Sequence, residues 1–278
     1  MELNPLAKFF RQPAIYVRLP SQGKHWPHGS IDYPVNGELP VLPMTAIDEI
    51  TYRTPDALFN GQAVTGVIQS CVPNIKDAWA VPSIDVDGLL VAIRIASYGH
   101  TIDISSTCPG CGEDHDFGLD LRGIIDGLSP GDYSKTFESG DLVLHFRPLT
   151  YKEMTANSLQ QFEQQKTMQL LNDAEMPESD KVNRMNGVMK ALVEVTVKAI
   201  SQSITEIRSP GSIVTEQIYI EEFILNCDRT LFGAIRDHVI KLRESSELKP
   251  IEIKCPSCSH EYKQIFTLDM ANFFGAAS

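Results

Sequence analysis

Four of the six cysteines stand in two similar turns, Cys108 and Cys111 in "TCPGCGEDHDFGLDL" and Cys255 and Cys258 in "IKCPSCSHEYKQIFTLDM". A C-x-x-C pair can be a redox couple, a disulfide or one half of a tetrahedral metal site. Two such pairs offer four soft, anionic ligands, the full shell of a structural zinc ion, which leaves no position open for a substrate. The flanks of the two turns are alike. Ile102 and Ile104 precede the first and Phe117, Leu119 and Leu121 follow it; Ile251 and Ile253 precede the second and Tyr262, Phe266, Leu268 and Met270 follow it. Apolar residues at alternate positions on both sides put each CPxC at the tip of a β-hairpin. Facing hairpins would gather Cys108, Cys111, Cys255 and Cys258 around one Zn2+. The alternative is two separate redox or disulfide pairs. It is disfavoured because the N-terminus "MELNPLAKFFRQPAIYVRLPS" lacks the apolar core of a secretion signal and nothing points to an oxidising compartment. The spacing is unusual, with 143 residues (112–254) between the pairs, so the intervening chain reads as an insertion clamped at its base by the metal. His115 and His260 lie beside the turns, but four thiolates already complete the shell and the histidines are expected to support it from outside. Cys71 and Cys227 stand alone in apolar helical segments, where buried inert thiols are the rule.

Other chemistry is hard to find. There is no GxSxG, Walker loop, HExxH or glycine-rich dinucleotide turn. "SQGKHW" contains Gly-Lys but lacks the preceding glycine and following Ser/Thr of a phosphate-cradling loop. His25 and His28 sit in a proline-rich stretch with no carboxylate held nearby, so they are read as polar contacts. No catalytic or cofactor-binding residue is expected beyond the zinc ligands. The formal net charge of −12 and pI near 5.0 argue against a nucleic-acid partner, whose phosphates need Lys and Arg. Glu113, Asp114 and Asp116 follow the first turn where a nucleic-acid zinc ribbon carries basic residues. No apolar run approaches the roughly 18 residues of a membrane span. A zinc-ribbon nucleic-acid-binding protein is therefore the alternative function, and a metal-dependent hydrolase, which would need an open metal position, a weaker one.

The elements that must position the cysteines follow from periodicity and punctuation. Residues 1–44, rich in Pro and Gly around "AIYVRLP", read as an extended N-terminal arm that packs on its own chain or on a neighbour. Residues 45–100 read as an N-terminal helical domain, with Thr54 and Pro55 opening a helix that Pro73 stops and a central apolar helix from Ser83 to Gly99. The first hairpin spans 101–125. An inserted strand and helical domain spans 126–248: a strand over 141–149, then a T-x-x-E capping box at Thr150 and Glu153 opening a polar helix. The loop "NDAEMPESD" leads into a second long helix whose face is Met185, Val188, Met189, Leu192, Val195 and Ala199, and the two form a helical hairpin. Helices from Thr215 to Asn226 and from Asp228 to Arg243 follow. The second hairpin and a tail complete the chain over 249–278. The expected fold class is α+β, a mostly helical body with a small antiparallel zinc-ribbon-like module.

The ordered stretches "FRQPAIYVRLPSQGKHWP", "GELPVLPMTAIDEITYRTPDALFNGQAVTGVIQSCVPNIKDAWAVPSIDVDGLLVAIRIASYG" and "CPGC" resemble the baseplate protein family of contractile-tailed, T-even-like bacteriophages, the family that includes the baseplate hub subunit. The resemblance is close over residues 9–125 and holds in outline beyond. It implies a virion structural or assembly component without catalysis, built in the host cytoplasm and resident in the tail baseplate. Its partners would be other hub or wedge proteins, reached in part through the N-terminal arm. Nothing in composition or spacing points to a phage; the resemblance alone does.

Overall fold

The computed structural model describes residues 4–54, 57, 59–173, 177–264 and 273–274; Pro55, Phe266, Leu268 and Met270 of the sequence reading lie outside the described residues. In chain order the elements are β1 (Ile15–Val17), β2 (Leu39–Val41), α1 (Ala46–Tyr52), α2 (Gln62–Cys71), α3 (Ser83–Tyr98), β3 (Thr101–Thr107), β4 (Asp114–Asp120), α4 (Leu121–Asp126) and β5 (Phe137–Ser139). There follow β6 (Leu142–Phe146), α5 (Tyr151–Asp173), α6 (Glu178–Ser203), β7 (Ile204–Ser209), β8 (Ser212–Val214), α7 (Gln217–Asn226), α8 (Arg229–Glu244), β9 (Ile251–Lys254) and β10 (Glu261–Gln264). Helix accounts for 47% of the described residues, so a mixture of helices and small antiparallel sheets describes them better than a mostly helical body. The chain divides into two compact units, one made of Met1–Ala78, Ile84–Pro130 and Ser246–Ser278, the other of Trp79–Ser83 and Gly131–Ser245.

In the first unit α3 is the centre. Its apolar residues lie on every side of the helix, and Leu89, Leu90, Val91, Ala92 and Ile93 are all fully buried, as a helix without a polar face must be. Residues 1–44 read as an extended arm that packs on its own chain or on a neighbour; the described part folds onto helices of its own unit. A three-residue strand is not stable alone, and β1 pairs antiparallel with β2, matching Ile15 to Val41 and Val17 to Leu39, with Val17, Leu19, Leu39 and Val41 buried. Two polar latches hold the segment down. The buried carboxylate of Asp85 accepts hydrogen bonds from the Ser21 N–H (2.8 Å), the Ser21 hydroxyl and Trp26 Nε1 (2.9 Å), so "SQGKHW" is a structural turn. Arg11 donates to the Pro43 and Ser70 carbonyls (2.6 and 2.7 Å) and pairs with Asp48 at 3.2 Å. Thr45 and Asp48 form a reciprocal capping box at the start of α1. The far end of the chain returns here too. Phe273 and Phe274 are buried, Arg94 Nε donates to the Phe273 carbonyl at 3.0 Å, and Phe274 meets Tyr52 edge-on at 4.6 Å.

The second unit is built on a four-stranded antiparallel sheet in the order β5-β6-β7-β8, with a register shift between His145 and Phe146. Its core gathers Leu144, Phe146, Val197, Ile200, Ile204, Ile207, Ile220, Ile224, Ile235 and Leu242. The capping box that opens α5 is present. The Thr150 N–H donates to the Glu153 carboxylate (2.8 Å), the Glu153 N–H donates to Thr150 Oγ1 (3.3 Å), and Arg147 clamps the same carboxylate with two bonds. The apolar face expected on α6 splits in two. Val188 is buried, but Met189 is half-exposed and shares a stripe with the exposed Val182 and Val193. The β7–β8 hairpin was not expected, because α6 runs into β7 with no intervening residue.

Candidate metal centre

The first CPxC closes a seven-pair ladder between β3 and β4, from Thr101↔Asp120 to Thr107↔Asp114. The second closes four pairs between β9 and β10, from Ile251↔Gln264 to Lys254↔Glu261. The two turns share one backbone design. In the first, the Cys108 N–H donates to the Glu113 carbonyl (2.9 Å) and the Gly112 N–H to the Cys108 carbonyl (2.8 Å); in the second, Cys255 donates to His260 and Ser259 to Cys255, both at 2.9 Å. The residue four places after the first cysteine is left-handed in both, Gly112 at φ 77° and Ser259 at φ 60°. Glycine adopts that conformation freely and serine does so at a cost.

These turns bring the four sulfurs together. Cys108 Sγ lies 3.7 Å from Cys258 Sγ, Cys111 Sγ lies 3.7 Å from Cys255 Sγ, and all four are within 4.8 Å of one another. Four sulfurs each at about 2.3 Å from a common zinc are about 3.8 Å apart in a tetrahedron, so the cluster has the dimensions of a zinc shell. Among the described residues these four are the one group of His, Cys, Asp or Glu placed to hold a metal ion. His25, His28, His115 and His260 are not in it. Cys108 and Cys255 are buried and Cys111 and Cys258 exposed.

The site's electrostatics follow from crowding. Burial raises the Cys108 thiol, but the backbone N–H groups of Cys111 and Gly110 and the neighbouring thiols outweigh it, and the group is lowered to about 6. At Cys111 the Glu113 backbone N–H lowers the thiol; burial and the other three cysteines prevail and push it up to about 12. A thiolate at Cys108 disfavours the ionised forms of Cys111 and Cys258, which is the condition a divalent cation relieves.

The two hairpins also touch outside the sulfurs. His115 Nε2 is 3.2 Å from Ser257 Oγ, and Ser106 Oγ is 2.9 Å from both Tyr262 Oη and Gln264 Oε1. A Cβ on Gly110 would come within 3.1–3.3 Å of the His260 side chain, so glycine lets one turn sit against the other. Sequence reasoning singled out neither Ser106 nor Ser257, which carry no periodicity signal. The equivalence of Gly112 and Ser259 was readable from aligning "CPGCGE" with "CPSCSH". Of the remaining cysteines, Cys71 is buried and burial raises its thiol to about 12. Cys227 is half-buried, its thiol also raised by burial.

The described helices include none long and apolar enough to cross a membrane. Nothing among curated proteins or solved structures matches the chain. A family model described as "T4 bacteriophage base plate protein" matches residues 43–275, which is 233 of the 278 residues and takes in all four clustered cysteines. Residues 9–42, part of the stretch whose resemblance was read as close, lie outside that match. A match over most of the chain places it by descent, with a structural role in the phage tail and association with other baseplate proteins: the chain belongs to the T4 bacteriophage base plate protein family.

Proposed function

We propose that this protein is a hub-type structural or assembly subunit of a contractile phage tail baseplate, its first unit closed by a structural zinc ion on Cys108, Cys111, Cys255 and Cys258. The observation that supports the metal most directly is the pair of 3.7 Å sulfur separations within a four-sulfur cluster. Bound there, zinc would supply folding free energy and no reaction, since four thiolates fill its shell. It would tie together hairpins that the chain separates by all but five residues of the second unit. A nucleic-acid role is opposed by the exposed face of β3–β4, which carries Asp103, Asp114, Asp116 and Asp120.

Contacts with hub or wedge proteins are the proposed mode of action, with no catalysis. The N-terminal segment supports this through exposed Leu6, Phe9 and Phe10 and the outward Ile47 and Ile50 of α1. Native mass spectrometry with and without a strong chelator tests the metal: one zinc per chain, released together with four reactive thiols, supports the shared site, and a metal-free chain contradicts it. Quantitative mass spectrometry of purified baseplates tests residence: a fixed ratio of this chain to the other subunits is expected, and its absence limits it to assembly.

A further inference from the structure

In the second unit α5 and α7 flank α6 and leave a groove along it of about 570 Å³. Its floor includes Ala191 and Val195 of α6, and its walls carry Glu163 of α5 and Glu221 and Leu225 of α7. Leu225 is 56% exposed, and Ile218, two helical turns earlier on the same side of α7, is 72% exposed. Both are more exposed than buried. Glu163, Glu194 and Glu221 line the groove against one cation, Lys198. The nearest compensation, Lys190 with Glu194 at 3.9 Å, is a solvent-exposed pair of small worth. Glu163 and Glu221 have no ion pair with another described residue.

We propose that this groove docks a basic amphipathic helix of another baseplate protein. The occupant is a helix because the groove runs along one helix between two others. Its apolar floor points recur at i and i+4 (Ala191, Val195), the spacing a helix face matches. Ala191 allows a close approach over the floor. The occupant is basic because three carboxylates against one ammonium leave the rim negative, and Lys or Arg beside apolar anchors would neutralise it. The proposal rests on the baseplate reading only for where the partner is found.

The probe is a fluorescently labelled 20-residue Leu/Lys peptide with Leu at i, i+3, i+4 and i+7, titrated into the full chain at physiological salt. A Leu/Lys peptide of scrambled order and a Leu/Glu peptide of the same pattern serve as comparators. The patterned Leu/Lys peptide is expected to bind, with affinity about tenfold lower for the scrambled peptide and for the variant Glu163→Lys/Glu221→Lys. The variant Asp103→Lys/Asp116→Lys, with the same charge change on the β3–β4 face, is expected to bind like wild type. Equal losses in the two double variants would overturn the groove, as would equal binding of the scrambled or Leu/Glu peptide. Dimerisation of the wild-type chain that Leu225→Asp abolishes would overturn the choice of occupant in favour of a second copy. If the chain is missing from purified baseplates while the groove binds as described, residence in the mature baseplate falls and the groove stands.

Discussion

The two units reach a folded state by different means. The second is one continuous stretch, 131–245, plus five residues, and it surrounds a ten-residue apolar core. The first is assembled from three stretches of chain. It too buries an apolar helix, but its distant pieces are joined at particular points: the sulfur cluster, Asp85 on Ser21 and Trp26, and Arg94 on Phe273. The first unit has an extensive apolar interior of its own, but the distant pieces joined at these points should loosen when a polar fastener or the metal is removed. The lesson is that remoteness in sequence, with its entropy of closure, is met here by local fasteners.

The largest effect should come from the cluster. Cys108→Ser or Cys255→Ser is expected to abolish zinc binding and to unfold the first unit well below the temperature at which the second melts. Structural zinc in small peptides contributes about 10 to 16 kcal/mol of apparent binding free energy. Calorimetry of the variants should show the lower transition displaced and the upper one unmoved; a single unchanged transition would end the comparison. Next in size is the reciprocal test. Leu144→Ala or Ile204→Ala in the second core should cost about 2 to 5 kcal/mol, read by denaturant unfolding, while zinc stoichiometry stays at one.

Asp85 probes a fastener without sulfur. Asp85→Ala leaves the Ser21 and Trp26 donors without their acceptor, a loss of about 1 to 3 kcal/mol confined to the first unit. Burial raises the Asp85 carboxyl to about 6 from an ordinary value of 3.8, against the hydrogen bonds from Ser21 and Trp26. The folded chain therefore holds this proton more tightly than the unfolded chain. The group's contribution to stability is greatest at low pH and falls as pH rises through about 4 to 6, and the alanine variant should lose that slope in a pH series of melts. The smallest effect sharpens the likeness of the two turns. Gly112→Ala should cost about 1 kcal/mol, whereas Ser259→Gly should be neutral or slightly stabilising, because only the second turn already carries a side chain in the left-handed position.

Much of this organisation was legible in the residues. The repeated CPxC with alternating flanks located both hairpins, and Thr150 with Glu153 marked a helix start that the capping geometry bears out. The apolar run in 83–98 identified the central helix. What was not legible depended on tertiary partners. The segment 1–44 could not be docked from its own pattern, because the carboxylate that holds Ser21 lies 64 residues away. Strand β7 was hidden by its direct fusion to α6. On α6 the helical period was sound, but a period cannot say which of two apolar stripes meets the core, and Met189 fell on the exposed one. The sulfur positions were foreseeable as a set; the links of Ser257 to His115 and Ser106 to Tyr262 were not.

The most direct test of the central claim is hydrogen exchange of the full chain before and after zinc chelation, followed peptide by peptide. Metal removal is expected to strip protection from β3, β4, β9, β10 and α3 while α5–α8 and β5–β8 keep theirs. Loss of protection spread equally over both units, or none in either, would contradict a metal that fastens the first unit alone.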